Sequence, residues 1–282
     1  MKPSDIQADD TRCAIDPVVD TYSKLANVYD DDGNIGSCWG RVTRHSLELV
    51  KLQDTHTTVV DVGCGTGREL SQLASNHPPH VRFIGVEPAV NMRKIAAART
   101  ARWPNVRIVD GRFERLPLET QSVDYLYSVL AFHWTTDLHQ SVSELARVLR
   151  PTGEMDLTFI GRNNGREFIT KTTPVFFKYM TLATMVEAVS LRKQLRLEEA
   201  TALFREAFGS PGLTVTESYH TYYDTLDGHW GWWVRIEGQL VNVPSDQKTE
   251  CNQAVRAAIS TLETASGIPY TVHLLHVRLR QT

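Results

Sequence analysis

The feature that most constrains this chain is an alternation of two periods between Thr57 and Gly161. Short apolar runs suited to buried strands take turns with amphipathic runs suited to helices. "TTVVDVG" reads as a strand and residues 68–75 as a helix. "VRFIGVE" is a strand and residues 90–102 a helix; "VRIVDG" and "VDYLYSVLAF" are strands, residues 138–149 a helix, and "GEMDLTFIG" a strand again. Such a pattern predicts βαβ units on a parallel sheet, covered on both faces and crossed over right-handedly. Past Gly161 the alternation stops. Residues 172–208 read as mostly helical with a break near Ser190, "LTVTESYHTYYDTL" as a strand, residues 230–240 and 247–265 as helices, and "YTVHLLHVRLRQ" as a closing strand with outward-facing Arg278 and Arg280. Seven strands result. The helical stretch between the fifth and sixth predicts a cap inserted over the binding edge of the sheet. Ahead of the alternation, residues 20–29 and 39–52 read as helices and "DDDGNIGSC" as a loop between them.

Composition narrows the partners. The chain has 282 residues, 41% of them apolar and 22% charged, with a net charge of −3, as in an ordinary globular protein. No basic stripe with interleaved aromatics is present, so nucleic acid is not expected as a partner. No apolar run reaches the roughly 18 residues of a membrane span, and no membrane is expected either. The polar N-terminus lacks the apolar core of a secretory signal. Cys13, Cys38, Cys64 and Cys251 are scattered without a CxxC pair. Neither a metal site nor a disulfide framework is expected, and four reduced thiols fit a cytoplasmic protein.

The chemistry-bearing stretch is "VVDVGCGTGREL", residues 59–70. Gly63, Gly65 and Gly67 stand at a strand end, where open α/β sheets place ligands. Glycine permits positive φ and close approach of backbone to a ligand, and the helix N-terminus that follows offers N–H groups to a negative group. The spacing is G-x-G-x-G; a dinucleotide site prefers G-x-G-x-x-G, and position 68 is Arg. Asp61 lies inside the strand end. Glu87 closes the next strand, where a carboxylate can accept hydrogen bonds from both hydroxyls of a ribose.

Four motifs in order, "VVDVGCGTG", "FIGVEPAVNM", "GRFERLPLETQSVDYLYSVLAFHW" and "ELARVLRPTGEM", resemble those of class I S-adenosylmethionine-dependent methyltransferases. The likeness is to the small-molecule branch of trans-aconitate and quinone-pathway type, over residues 20–160. It implies a Rossmann-like sheet of seven mostly parallel strands with helices on both faces, an N-terminal helical lid and an inserted helical cap. It also implies an organisation into residues 1–16 (mobile N-terminus), 17–52 (lid), 53–160 (cofactor-binding core), 161–210 (cap) and 211–282 (remaining core with substrate-pocket elements).

By the same resemblance Asp61, Gly63, Gly65 and Gly67 would hold the methionine part of S-adenosylmethionine, and Glu87 the ribose. Pro88 and Met92 would flank the adenine, Arg112 and Phe113 would lie at its edge, and Ser128, Leu130 and Ala131 near the sulfonium. Relatives often carry a small residue where Phe113 stands and a small or acidic one where Arg112 stands, so the adenine pocket is expected to differ there. "YSKLANVYD" resembles a lid segment, which would place the rings of Tyr22 and Tyr29 over the cofactor and exclude water.

His133, just past the fourth strand in "AFHW", is the candidate general base, since an unperturbed pKa near ~6.5 suits proton transfer. His220, Tyr222, Tyr223 and His229 are further options, and His273 and His276 are expected to be structural. Phe132, Trp134, Phe168, Phe177, His229 and Trp232 are the expected substrate-pocket residues. So many rings predict a small apolar or aromatic acceptor, a secondary metabolite methylated at O, N or C, with carbon of an isoprenoid chain included because aromatic walls stabilise a developing cation. Two other readings stand beside this one: a catalytically silent cofactor-binding protein acting through a partner, and a nicotinamide-dependent oxidoreductase. A homo-oligomer through the N-terminal segment is also admitted.

Overall fold

A computed structural model describes residues 16–280. The expected mobile stretch, apart from Asp16, lies outside the described residues, as do Cys13 and Gln281. Three helices lead in: α1 (Pro17–Leu25), extended by a 3₁₀ turn over Ala26–Val28, α2 (Asp32–Gly36) and α3 (Cys38–Leu47). The alternating region then gives β1 (Thr58–Val62), α4 (Arg68–Ser75), β2 (Arg82–Val86), α5 (Val90–Thr100), β3 (Val106–Val109), β4 (Val123–Val129), α6 (Leu138–Val148) and β5 (Leu149–Ile160). After it come α7 (Arg166–Tyr179), α8 (Leu182–Ser190), α9 (Leu197–Phe208) and β6 (Leu213–Asp224). The chain ends with α10 (Leu226–Trp232), a π-helical turn Trp233–Glu237, α11 (Gly238–Leu240), α12 (Lys248–Ser260) and β7 (Ile268–Leu279).

The sheet has seven strands in the order β3-β2-β1-β4-β5-β7-β6. Pairing is parallel from β3 to β5, while β7 runs antiparallel to both β5 and β6. The α/β expectation of a mostly parallel seven-stranded sheet is thus met. Burial explains the sequence pattern. All five residues of β1 are buried, because helices cover both its faces, and it reads as a continuous apolar run. The edge strand β6 has no fully buried residue and alternates polar with apolar. Strand order reverses between β1 and β4, so the carboxyl ends of these two strands open a crevice.

Four local expectations are corrected. The loop at residues 30–38 contains α2, capped by Asp31, whose Oδ1 accepts from Asn34 N at 2.8 Å. The helix expected over residues 39–52 stops at Leu47, because Val50 and Leu52 turn in to pack against Val59 and Tyr125. Arg278 and Arg280 are drawn sideways onto the buried Asp156 of β5, with Arg278 Nε 3.2 Å from Oδ1. The helical stretch 161–210 does not roof the sheet edge as one cap. Phe204 of α9 enters the main core, Phe168 of α7 packs against Trp232 and Tyr270, and only α8 buries none of its residues.

Candidate functional site

A cleft of about 560 Å³ opens at the carboxyl ends of β1, β2, β4 and β5, within the usual range of small-molecule sites. Its floor is the glycine turn. Gly63 N and Cys64 N donate to Val86 O of β2 at 2.8 and 3.1 Å, which pins the turn to the sheet. Gly63 has φ +79°, and a Cβ there would stand 2.3 Å from Ala131 Cβ. Gly67 has φ +70°, and a Cβ would meet Ala96 Cβ at 2.9 Å. Both positions therefore need glycine, the second for packing α4 on α5. At Gly65 nothing lies within 4 Å of the Cβ position, which faces the cleft. This bare backbone is a cradle.

Two buried carboxyl groups bound the cradle. Glu87 accepts from Gly65 N at 3.0 Å and from Ala89 N at 2.8 Å. Asp61 is buried at the end of β1 beside the Tyr127 hydroxyl. Burial raises the pKa of both, and the neighbouring acid Glu69 raises Asp61 further. The cleft thus concentrates desolvated hydrogen-bond acceptors, which suits a ligand rich in donors or positive charge.

The N-terminal helices also border the cleft. Tyr22 and Tyr29 line the cleft, their rings 5.9 Å apart, and Tyr22 meets Trp134 edge-on at 6.0 Å. Ion pairs strap the segment down on both sides: Asp16–Arg112 at 2.8 Å, Asp30–Arg99 at 2.7 Å and Asp31–Arg235 at 2.7 Å. Burial pushes the Tyr29 hydroxyl well above its ordinary pKa. Pro88, Met92, Arg112 and Phe113 line the side next to Glu87. Leu130 and Ala131 line the opposite wall; Leu130 sits at φ +56°, the kind of backbone strain that clusters at functional sites. Gly67 and Ser128 stand back from the cleft, Ser128 donating to Val62 O at 2.6 Å inside the sheet.

His133 sits in the 3₁₀ turn Phe132–Trp134 and lines the cleft, with 5% of its surface exposed. Its Nδ1 has no hydrogen-bond partner among the described residues. The expectation of a base poised near neutrality is corrected: burial and the nearby Arg192 charge push its pKa down to about 3. The imidazole is neutral and presents an unpartnered ring nitrogen, Nδ1.

Of the expected substrate-pocket residues, Trp134 and Trp232 line the cleft. Phe132 is wholly buried between Phe113, Phe159 and Phe204. Phe168 is buried under Trp232 and Tyr270, and Phe177 is exposed on the far side of α7. His229 is fully buried, its Nε2 2.8 Å from Ile268 O, where it fixes α10 to β7. His220 lies against His45 with the rings tilted, and Tyr222 lies under the guanidinium of Arg41; neither lines the cleft, nor does Tyr223. The wall instead includes Ile35, Trp39, Ile160, Asn164, Gln194 and Ile236, which sequence reasoning missed. The apolar face of α3 was a signal for Trp39. Nothing local announced Ile236, which faces the cleft because the π-turn shifts its register.

Comparison with known proteins agrees with this geometry. Residues 60–155 match the model of a methyltransferase domain family. A malonyl-(acyl-carrier protein) O-methyltransferase of Methylovorus sp. (strain MP688) is 29% identical over 186 residues, 64% of this chain and 59% of that protein. The enzyme of the same name from Yersinia pestis is 35% identical over 136 residues, 47% and 46% of the two chains. The crystal structure of the YcgJ protein from Bacillus subtilis shares the fold, with a TM-score of 0.57 at 21% identity over 85% of this chain and 100% of that one. The chain spans about half the length of the curated relatives it matches. The fold is shared with proteins of this kind, and the matched segment is similar to a methyltransferase domain.

Proposed function

We propose that this protein binds S-adenosylmethionine in the glycine cradle and transfers its methyl group to a small acceptor with an apolar or aromatic body. The observation that carries the reading is the pairing of Glu87 with Gly65. A buried carboxylate and an open glycine turn meet at the switch point of the sheet. Bound there, the cofactor supplies a methyl group already activated for nucleophilic attack.

The chain does the rest. Glu87 accepts the ribose hydroxyls and Asp61 takes the amino-acid end, while Gly63 and Gly65 leave room for it. Met92 and Pro88 hold the adenine between them, with Arg112 and Phe113 at its edge. Tyr22, Tyr29 and Trp134 close over the reacting centre and keep water out. Trp39, Trp232 and Ile236 fix the acceptor's position, and alignment of this kind supplies several kcal/mol toward the barrier. His133, held neutral, accepts a hydrogen bond from the acceptor's proton-bearing atom and orients it. The aromatic lining supports a secondary-metabolite acceptor. Malonyl-(acyl-carrier protein) belongs on the same assay panel, because curated relatives carry that name.

Calorimetry with S-adenosylmethionine and its demethylated product tests the first step; no heat of binding on folded protein refutes the reading. Transfer of labelled methyl to an acceptor panel tests the second. Tight cofactor binding with no transfer to any acceptor would favour the silent, partner-directed alternative.

A further inference from the structure

The most anomalous surface lies on α7 and α8, away from the cradle. Leu182, Val186 and Val189 recur at i, i+4 and i+7, so they form one stripe along α8. They are 69%, 61% and 73% exposed. Phe177 and Ile169 on the preceding helix are 59% and 51% exposed. Single exposed apolar residues need no explanation, but five on two successive helices form a patch. The charge around it is equally uneven. Residues 162–196 carry seven basic side chains against two acidic ones, in a chain whose net charge is −3; of the seven, Arg162 is paired with Glu199 and Arg192 turns to the cleft. Of the two acids, Glu167 accepts hydrogen bonds from Thr271 and Glu187 is exposed on α8. Arg166, Lys171 and Lys178 are exposed on the same helix as Phe177.

We infer that this face docks on an anionic lipid surface. The apolar stripe of α8 next to the basic side chains of α7 gives the helix pair the composition of an interfacial element. Negative headgroups attract the lysines while the aliphatic side chains enter the acyl boundary. A symmetric contact between two copies fits poorly, since it would lay one basic patch against another. Attachment of this kind needs no span, and none of the described helices is long and apolar enough to cross a membrane. The placement has a consequence for access. The chain leaving α8 runs straight to the cleft: Lys193 N donates to His133 O at 2.8 Å, and the Arg192 guanidinium lies 5.0 Å from the Trp134 ring centroid. An apolar molecule dissolved in the bilayer would therefore meet the cleft mouth beside the docked helix. The docking itself does not depend on what is methylated.

The test is flotation of the whole protein with two kinds of vesicle, one of phosphatidylcholine alone and one of equal parts phosphatidylcholine and phosphatidylglycerol. The protein should float with the mixed vesicles and be released by salt. Lys171→Ser with Lys178→Ser should weaken partitioning by about fivefold per charge, the equivalent of about 1 kcal/mol each. Leu182→Ser with Val186→Ser should abolish flotation. Both double variants should keep the wild-type circular dichroism and the same affinity for demethylated cofactor, so that loss of flotation is not loss of fold. The inference is overturned if the wild type stays out of the mixed vesicles, or floats equally with both kinds. It is overturned too if light scattering shows a dimer that Leu182→Ser with Val186→Ser splits.

Discussion

Replacing Glu87 by Gln isolates the charge at the centre of the proposed site. The carboxylate is buried and accepts two backbone N–H groups, from Gly65 at 3.0 Å and Ala89 at 2.8 Å. Glutamine keeps the length and one carbonyl oxygen, so the turn stays connected on one side. What it loses is the ionised acceptor, and it adds two donors facing N–H groups or ribose hydroxyls. A hydrogen bond to a charged group contributes about 1.5–3 kcal/mol, roughly twice a neutral one. Affinity for demethylated cofactor should therefore fall by about 1.5–3 kcal/mol, or roughly tenfold to 150-fold. Titration calorimetry on wild type and variant, with thermal denaturation as a check on folding, reads this directly. The structure also fixes the pH dependence. Burial raises the Glu87 pKa, so wild-type affinity should start to fall at a pH above the ordinary glutamate range as the solution is acidified. The variant should lose the part of that dependence that Glu87 contributes and keep the part due to Asp61. Equal affinities for the two proteins, or an acid-side loss of unchanged size in the variant, would refute the ribose role.

Three further outcomes are expected. Gly63→Ala puts a Cβ 2.3 Å from Ala131 Cβ at φ +79°, so unfolding free energy should drop by about 2–4 kcal/mol and cofactor binding should fail; denaturant titration measures the first. Because the His133 pKa is pushed down to about 3, turnover should show no histidine inflection between about pH 5 and 8, and His133→Ala should slow turnover roughly tenfold while leaving cofactor affinity unchanged. Asp61 has a raised folded-state pKa, so its ionisation opposes folding; Asp61→Asn should melt higher than wild type at neutral pH, by about 2–4 °C for each kcal/mol relieved, and the gap should close as pH falls toward the ordinary carboxylate range.

How far the sequence reached can be argued element by element. Residues 68–75 form the helix over the range expected, because the apolar spacing and the glycine before it mark both face and start. The strands of the parallel core were equally legible, since burial on both faces favours apolar runs, interrupted only by a few partnered polar groups such as Asp156. The cradle was legible for the same reason that it functions: Gly63 admits no side chain, and the next strand must end on an acceptor. The acceptor wall was not. Phe132, Phe168 and Phe177 look alike in a string of letters, yet one fills the core under the sheet, one packs under Trp232 and one faces solvent. Aromatic residues satisfy core and pocket equally well, so their type does not choose between them. Only the pairing of β7 with β5 and the π-turn before α11 decide which rings look inward.

The histidine shows the same division between what residue type sets and what packing sets. A histidine after β4 is where a base would stand, and the structure does put it on the cleft. Its proton affinity, however, follows from the surrounding rings and the Arg192 charge, which no spacing encodes. Asp61 and Glu87 are shifted toward neutrality by the same burial. All three groups are thus biased toward their uncharged forms before any ligand arrives. A cationic or donor-rich ligand reverses that bias at the carboxylates, because it replaces the water they lost. Folding therefore leaves these groups in a state that binding relieves, and the free energy withheld from stability reappears as affinity for such a ligand.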